Sequence, residues 1–217
     1  MNHKIFLTAC MALLVSATTE VSRADGRDLH SVNGSVSAEP GQSYDSISTV
    51  NGSVHVGRGA SADIAKTVNG RVALDDEAKV GAATTVNGAL DIGEGATVDR
   101  EASTVNGTIK LAKRARVGGD VTTVSGNVRV DGAEIGGGIT TRNGDIELSD
   151  GAHVHKDIHI EKKTDGFWDS KRDEPLHVRI CGTCVVDGDL RFERPVELTV
   201  EPGAKIGKVI GEEVTRR

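Results

Sequence analysis

Residues 49–56 read Thr49-Val50-Asn51-Gly52-Ser53-Val54-His55-Val56, and the Val-Asn-Gly within them returns along the chain. Intact copies of this tripeptide begin at Val32, Val50, Val68, Val86 and Val105, and altered copies begin at Val124 and Arg142. The copies lie 18 or 19 residues apart. A fixed period near twenty residues is typical of a solenoid, so the repeat predicts a stack of similar coils.

Apolar residues inside each period fall into pairs. Val54 and Val56 form the first pair of one period, and Ala60 and Ala62 form the second. A third apolar position, such as Ile47, lies three residues before each copy. Because an i, i+2 pair is one face of a short β-strand, each period contains three strands. The sequence therefore predicts an all-β, single-stranded triangular β-helix of 18–19 residues per coil, and it excludes an α-solenoid.

The Asn-Gly pair has a mechanical interpretation. Both residues adopt left-handed backbone angles more easily than others do, which suits a corner. Stacked asparagines can also form a hydrogen-bonded ladder, and the predicted members are Asn33, Asn51, Asn69, Asn87, Asn106 and Asn143. A Thr precedes every copy after the first, and spacing alone does not say whether this Thr or the following Val points inward. We predict that Val points inward and that Thr forms an outer ladder.

The repeated Thr-Val-Asn-Gly-x-Val-x-Val pattern resembles the bactofilins, a bacterial family of polymer-forming cytoskeletal proteins, and also secreted β-strand-repeat proteins of unknown function. The likeness covers roughly residues 30–210. It implies a right-handed β-helix that assembles end to end. Bactofilins are cytoplasmic, and the start of this chain departs from them.

Residues 1–24 have the pattern of a secretory signal peptide. Lys4 supplies the positive start, Ile5 to Ala17 supplies the apolar core, and Ser22-Arg23-Ala24 offers a cleavage site. Cys10 lies in a sequence like a lipidation motif, but few residues precede it. We predict a periplasmic or secreted protein with no transmembrane anchor in the mature chain, and one β-helix domain over residues 25–217.

The mature chain is mildly acidic. Removal of residues 1–24 leaves 24 basic and 31 acidic side chains, a net charge of −7 with His neutral. A basic group in the fifth coil comprises Lys110, Lys113, Arg114 and Arg116. It has no interleaved aromatic residues, so the sequence predicts a solvated face and no nucleic-acid partner.

One pair of histidines forms the candidate metal site. His153 and His155 flank an inward Val154, so both point outward from one strand, about 7 Å apart. The neighbouring coils are expected to bring Glu134 near His153 and Asp187 near His155. Two imidazoles and two carboxylates are ligands that zinc and similar ions accept. The coils differ in length, however, and nothing in the sequence orients the imidazoles, so we predict no cofactor.

The rhythm breaks at residues 161–175, a polar loop that contains Phe167 and the single Trp of the chain, Trp168. Insertions in repeat proteins project from the solenoid and often bind partners. Phe167 and Trp168 are therefore candidate partner contacts. The alternative is that both rings fold back over the solenoid.

Cys181 and Cys184 remain after removal of the signal peptide. In an exported protein a lone pair favours a structural disulfide, and two free thiols are the alternative. A thioredoxin-like redox site would require a helix start after the first Cys.

The sequence contains no nucleophile elbow, phosphate loop or His-Glu-x-x-His motif, so we predict no catalytic residues and no enzyme. The leading hypothesis is an exported structural or interaction protein of the bacterial cell envelope, whose partner is itself or another envelope protein. A second hypothesis is a module that binds polysaccharide or another ligand on a flat Thr ladder. A polysaccharide-lyase-type enzyme is a third.

Overall fold

The computed structural model describes residues 27–162, 174–211 and 214–216. These residues form a β-solenoid of about 10 turns with about 18 residues per turn, and no helix occurs among them. The predicted all-β coil is therefore confirmed, and its right-handed sense stays a prediction. The predicted signal peptide lies outside the described residues.

The strands are short and follow one another at regular intervals. The first thirteen are β1 (Asp28–Asn33), β2 (Val36–Ala38), β3 (Ser43–Asn51), β4 (Val54–Val56), β5 (Ser61–Asn69), β6 (Val72–Leu74), β7 (Lys79–Asn87), β8 (Leu90–Ile92), β9 (Thr97–Val98), β10 (Ala102–Asn106), β11 (Ile109–Leu111), β12 (Arg116–Val117) and β13 (Val121–Ser125). The others are β14 (Val128–Asp131), β15 (Glu134–Ile135), β16 (Ile139–Thr141), β17 (Ile146–Ser149), β18 (His153–Val154), β19 (Ile158–Ile160), β20 (Leu176–Ile180), β21 (Val185–Val186), β22 (Leu190–Phe192), β23 (Val196–Val200), β24 (Val209–Gly211) and β25 (Val214–Arg216).

All strand pairs are parallel, and they stack into three faces. The first face is a ten-stranded sheet in the order β2-β4-β6-β8-β11-β14-β17-β20-β23-β25. The second face contains β9, β12, β15, β18 and β21, and the third contains β10, β13, β16, β19, β22 and β24. The long strands β3, β5 and β7 bend across the second and third faces, and β1 pairs with β3 on the third. The coil resumes in register after the loop, since Ile146 pairs with Val178.

The core runs along the axis of the solenoid. The predicted inward pairs are buried in every central coil, for example Ile109 and Leu111 on the first face and Ala115 and Val117 on the second. Ala and Val fill most of the second face, whereas Ile and Leu are common on the first. Close packing of these side chains accounts for the scarcity of aromatic residues, because the axis has little room for a ring.

The predicted orientation of Thr and Val on the third face is wrong. Thr points inward and Val points outward. The buried threonines are Thr49, Thr67, Thr85, Thr104, Thr123 and Thr141, none more than 4% exposed. The hydroxyl of Thr85 donates to the carbonyl of Gly70 in the preceding coil at 2.9 Å, and Thr49, Thr67, Thr104 and Thr123 make the equivalent bond. Threonine is therefore selected because it fills the core and satisfies a corner carbonyl, which valine cannot do.

Steric crowding requires a glycine at the last position of Val-Asn-Gly. A Cβ on Gly88 would lie 1.9 Å from the carbonyl oxygen of Gly70, and a Cβ on Gly107 would lie 2.0 Å from that of Gly88. Left-handed angles do not explain the Asn of this corner, because the stacked asparagines have negative φ, whereas Gly34, Gly52, Gly70 and Gly126 have φ between 120° and 158°. The close approach of one backbone to the next is the reason for Gly.

Left-handed backbone angles near 60° occur at the corner between the first and second faces. Gly41, Gly59, Gly95 and Gly132 occupy this position with φ between 57° and 69°. Glu77, Arg114 and Asp150 occupy it in other coils with φ of 61°, 61° and 51°. A non-glycine residue costs about 1 kcal/mol there. These three coils therefore carry local strain that their neighbours avoid.

A matched pair of variants tests the inward orientation of Thr. Thr85→Val removes the buried donor to the Gly70 carbonyl, and we expect a loss of about 1 kcal/mol in the free energy of unfolding. Val86→Thr replaces a methyl group by a hydroxyl on an outward side chain, and we expect the free energy of unfolding to change by no more than about 0.5 kcal/mol. Urea unfolding followed by far-UV circular dichroism measures both. The opposite ranking would mean that Val faces the core.

Candidate functional site

His153 and His155 lie on the second face, at β18 and directly after it. Val154 between them is fully buried, so both histidines point outward and are about one third exposed. The backbone amides of His153 and His155 donate to the carbonyls of Ala133 and Ile135 at 3.0 and 2.9 Å. The amide of Asp187 donates to the Val154 carbonyl at 2.9 Å. The parallel sheet therefore fixes the backbone of each residue in the cluster.

The side chains of the cluster converge on one oxygen. Asp187 Oδ2 lies 2.8 Å from His153 Nε2 and 3.2 Å from His155 Nδ1. The second ring nitrogen of His155, Nε2, lies 3.1 Å from Glu134 Oε1. One ligand atom each from His153, His155 and Asp187 lies within 4.8 Å of the other two. The four predicted residues are thus brought together, which spacing alone suggested.

Two details of the cluster differ from the sequence expectation. The backbone of Glu134 pairs with His153 as expected, but the Glu134 carboxylate reaches His155. Asp187 contacts both histidines rather than His155 alone. The imidazole centroids are 4.0 Å apart, closer than the expected 7 Å, and the two ring planes are inclined at 34° to each other. Side-chain rotation, which the strand period does not specify, accounts for the difference.

Arg116 is a member of the cluster that the metal-site prediction omitted. Its guanidinium forms an ion pair with Glu134 from the next coil, in register on the same face. The hydrogen bond with His155 is the main reason that the pKa of the Glu134 carboxyl lies below its usual value; desolvation, the next largest effect, opposes it, and the hydrogen bond and charge of Arg116 support it. The 18-residue separation of Arg116 and Glu134, which is one coil length, is the sequence feature from which their contact could have been predicted.

Asp187 is ionised at neutral pH. Its hydrogen bond with His153, and the positive charge that either histidine can carry, lower the pKa of the Asp187 carboxyl. A deprotonated carboxylate and two imidazole nitrogens are the donors that divalent transition metals prefer. The arrangement is therefore chemically suited to a cation.

A polar groove opens beside the cluster on the second face. Its lining includes Arg114, Arg116, Glu134 and His153, and the glycines Gly132 and Gly151 form its floor at the corner. Because the groove is open to solvent, water or a small anion can reach His153 from this side.

The basic group of the fifth coil is largely paired with neighbouring coils. Lys113 contacts Asp150, Arg114 contacts Glu94 at 3.0 Å and Arg116 contacts Glu134. The hydrogen bond with Asp150 raises the pKa of Lys113. These positive charges face acidic partners, which agrees with a solvated face between coils.

The predicted asparagine ladder is present over five members. Each amide donates to the carbonyl oxygen of the preceding Asn at 2.9–3.0 Å, from Asn106 through Asn87, Asn69 and Asn51 to Asn33. Asn143 is not part of it. Ser125 occupies the intervening rung, and the Asn143 side chain accepts a hydrogen bond from Arg194 at 3.3 Å.

Cys181 and Cys184 are joined by a disulfide at the corner before β21. Cys184 is fully buried and takes the inward position that Ala holds in earlier coils. Phe167 and Trp168 lie outside the described residues, so their role as partner contacts stays a prediction.

No protein-family model, curated protein or solved structure matches this chain. In the described ranges 27–162, 174–211 and 214–216, no helix has the length and apolar character needed to cross a membrane.

Proposed function

We propose that this chain is an exported, non-enzymatic β-solenoid of the bacterial cell envelope that acts as a rigid structural rod and binds further copies of itself end to end. The observation that carries the proposal is the continuity of the parallel sheets to both ends of the described chain. The outer strands of the first face are β2 and β25, and those of the third face are β1 and β24. A parallel edge strand is a template for another strand.

The outermost strands of the third face also carry exposed apolar side chains. Val32 in β1 is 59% exposed and Ile210 in β24 is 47% exposed, and they are the large hydrophobic residues so exposed within the described ranges. Contact between the two ends of neighbouring rods would cover both regions. The resemblance to the bactofilins is consistent with this mode of assembly.

Rows of contacts between coils support a rigid rod. The asparagine ladder links five coils, and ion pairs such as Arg58 with Asp76 and Arg71 with Asp91, at 2.7 and 3.0 Å, join some of the same coils a second time. Each exposed ion pair contributes little stability, about 0–1 kcal/mol. Their regular repetition favours a straight stack in which each coil contacts its neighbours.

Light scattering after size-exclusion chromatography, with negative-stain microscopy of the same fractions, tests self-assembly. Ser37→Pro gives a designed block. The amide of Val36 donates to the Ser53 carbonyl of the next coil at 2.9 Å. Because successive amides of a strand point to opposite sides, the amide of Ser37 points to the open edge of the sheet. Proline there removes the outward donor, and Ser37→Ala is the matched control.

We expect filaments or large regular oligomers of the wild type and of Ser37→Ala, and shorter species for Ser37→Pro. A monomeric wild type would overturn self-assembly. Filaments that Ser37→Pro leaves unchanged would show that growth does not use the β2 edge.

Export has its own test. The disulfide fits an oxidising compartment, in which such bonds persist. We expect a mature chain that begins at Asp25, and no reactive thiol from Cys181 or Cys184 in denaturant without reductant. Intact-mass analysis before and after alkylation measures both. Two alkylated thiols in the mature chain would contradict the structural disulfide.

The ligand-binding hypothesis on a Thr ladder is not proposed further. The Thr side chains that would form the flat face are buried in the core.

A further inference from the structure

We propose that His153, His155 and Asp187 bind one divalent transition-metal ion of the zinc class on the second face. This inference is independent of self-assembly. It depends on the convergence of three ligand atoms from two adjacent coils, His153 and His155 from one and Asp187 from the next.

The distances are close to those of an occupied site. Zinc bonds of about 2.0–2.1 Å in a tetrahedron place neighbouring ligand atoms roughly 3.4 Å apart. Asp187 Oδ2 already lies 2.8 and 3.2 Å from the two histidine nitrogens. The separation of the two nitrogens is at most 4.8 Å. A small rotation of exposed imidazoles closes this gap without any change in the backbone.

Glu134 gives His155 the orientation of a metal ligand. Metal-bound imidazoles usually donate their other N–H to a carboxylate. Glu134 Oε1 lies 3.1 Å from His155 Nε2, and an ion pair with Arg116 of the neighbouring coil holds this carboxylate in place. With its proton on Nε2, His155 presents the lone pair of Nδ1 toward Asp187.

The same arrangement is unfavourable without a cation. A neutral His155 with its proton on Nε2 places the Nδ1 lone pair 3.2 Å from a carboxylate oxygen of Asp187, so that two acceptors face each other. A metal ion between them that accepts both lone pairs removes this repulsion. The parallel sheet already fixes the backbone that carries these donors.

The open groove determines what kind of site this is. Three protein ligands leave a fourth position for water or for a small anion, as in zinc sites with an open position. Arg114 and Arg116 line the groove beside His153, where they are paired with Glu94 and Glu134. Imidazole ligands favour zinc, nickel or copper over calcium or magnesium.

Zinc binding to the full-length chain without a histidine tag tests the proposal. His3 and Cys10, which lie outside the described residues, are replaced by Gln and Ser in every sample, so that they cannot contribute ligands. Reductant is omitted so that Cys181 and Cys184 stay paired. Isothermal titration with zinc chloride, and metal analysis after equilibrium dialysis, give affinity and stoichiometry.

We expect one zinc ion per chain. His153→Gln, His155→Gln and Asp187→Asn should each weaken binding at least tenfold, and Glu134→Gln should weaken it by about tenfold through the orientation of His155. His159→Gln is the matched control, because His159 is an outward histidine with a carboxylate partner, Glu193, at 3.0 Å on the third face.

Circular dichroism of each variant verifies that it is folded, and the exposed positions make misfolding a minor concern. Ring-nitrogen NMR shifts of His153 and His155 on zinc addition give a second readout. Unchanged affinity in His153→Gln and His155→Gln, a loss of binding in His159→Gln, or equal binding of calcium would overturn the proposal.

Discussion

Gly88→Ala is expected to lower the free energy of unfolding by about 3 kcal/mol or more, because the new methyl group has no room. Its Cβ would lie 1.9 Å from the Gly70 carbonyl oxygen, a separation that requires the backbone to move. That carbonyl is held by the Thr85 hydroxyl at 2.9 Å, and the Gly88 amide is itself bonded to the Asn106 carbonyl. Neither coil can shift without losing these bonds.

Gly59→Ala separates crowding from backbone strain. Gly59 has φ of 63° and no atom within 4 Å of its Cβ position. We expect this variant to cost only about 1 kcal/mol, from the left-handed angle. Urea unfolding of both variants gives the comparison, and equal losses would mean that the stacked glycines are not in close contact.

Ile109→Ala is expected to cost about 3–4 kcal/mol, the second largest effect. Ile109 is fully buried in β11, and its strand neighbours Leu90 and Val128 are equally buried, so the cavity cannot fill easily. A solenoid coil contacts only its two neighbours. Loss of the Ile109 side chain therefore also weakens the cooperativity of unfolding between the two halves of the rod. The slope of the free energy of unfolding against urea concentration, the m-value, should then fall.

Lys110→Ala on the same strand is the control for Ile109→Ala. Its side chain points outward, and we expect a change within about 0.5 kcal/mol. Urea unfolding monitored by circular dichroism measures both. A similar loss from the two variants would contradict the inward and outward assignment of β11.

The histidine cluster shows how much of a site the repeat spacing can predict. The alternation of one strand placed His153 and His155 on the outer surface, and coil length placed Glu134 and Asp187 beside them. Which carboxylate contacts which ring depends on side-chain rotamers, and these depend on all four neighbours together. The role of Arg116 followed the same 18-residue register, but only the ion pair identified it.

The sequence by itself determined the coil. Two apolar pairs at i, i+2 and a third apolar position, repeated every 18 or 19 residues, specify three strands per turn, because successive side chains of a strand point to opposite faces. The recurring Asn specified its ladder as well, at least as far as Asn106, since identical rungs bring identical amides together.

Only the tertiary structure decided the third face. Thr and Val are adjacent and similar in size, so period two allows either to point inward. The Thr hydroxyl finds the carbonyl of a stacked glycine inside the core, and Val has no donor for it. That contact exists only between coils, as does the crowding that makes Gly88 a glycine. Local pattern therefore fixes which strands form, and the approach of one coil to the next fixes which side each residue faces.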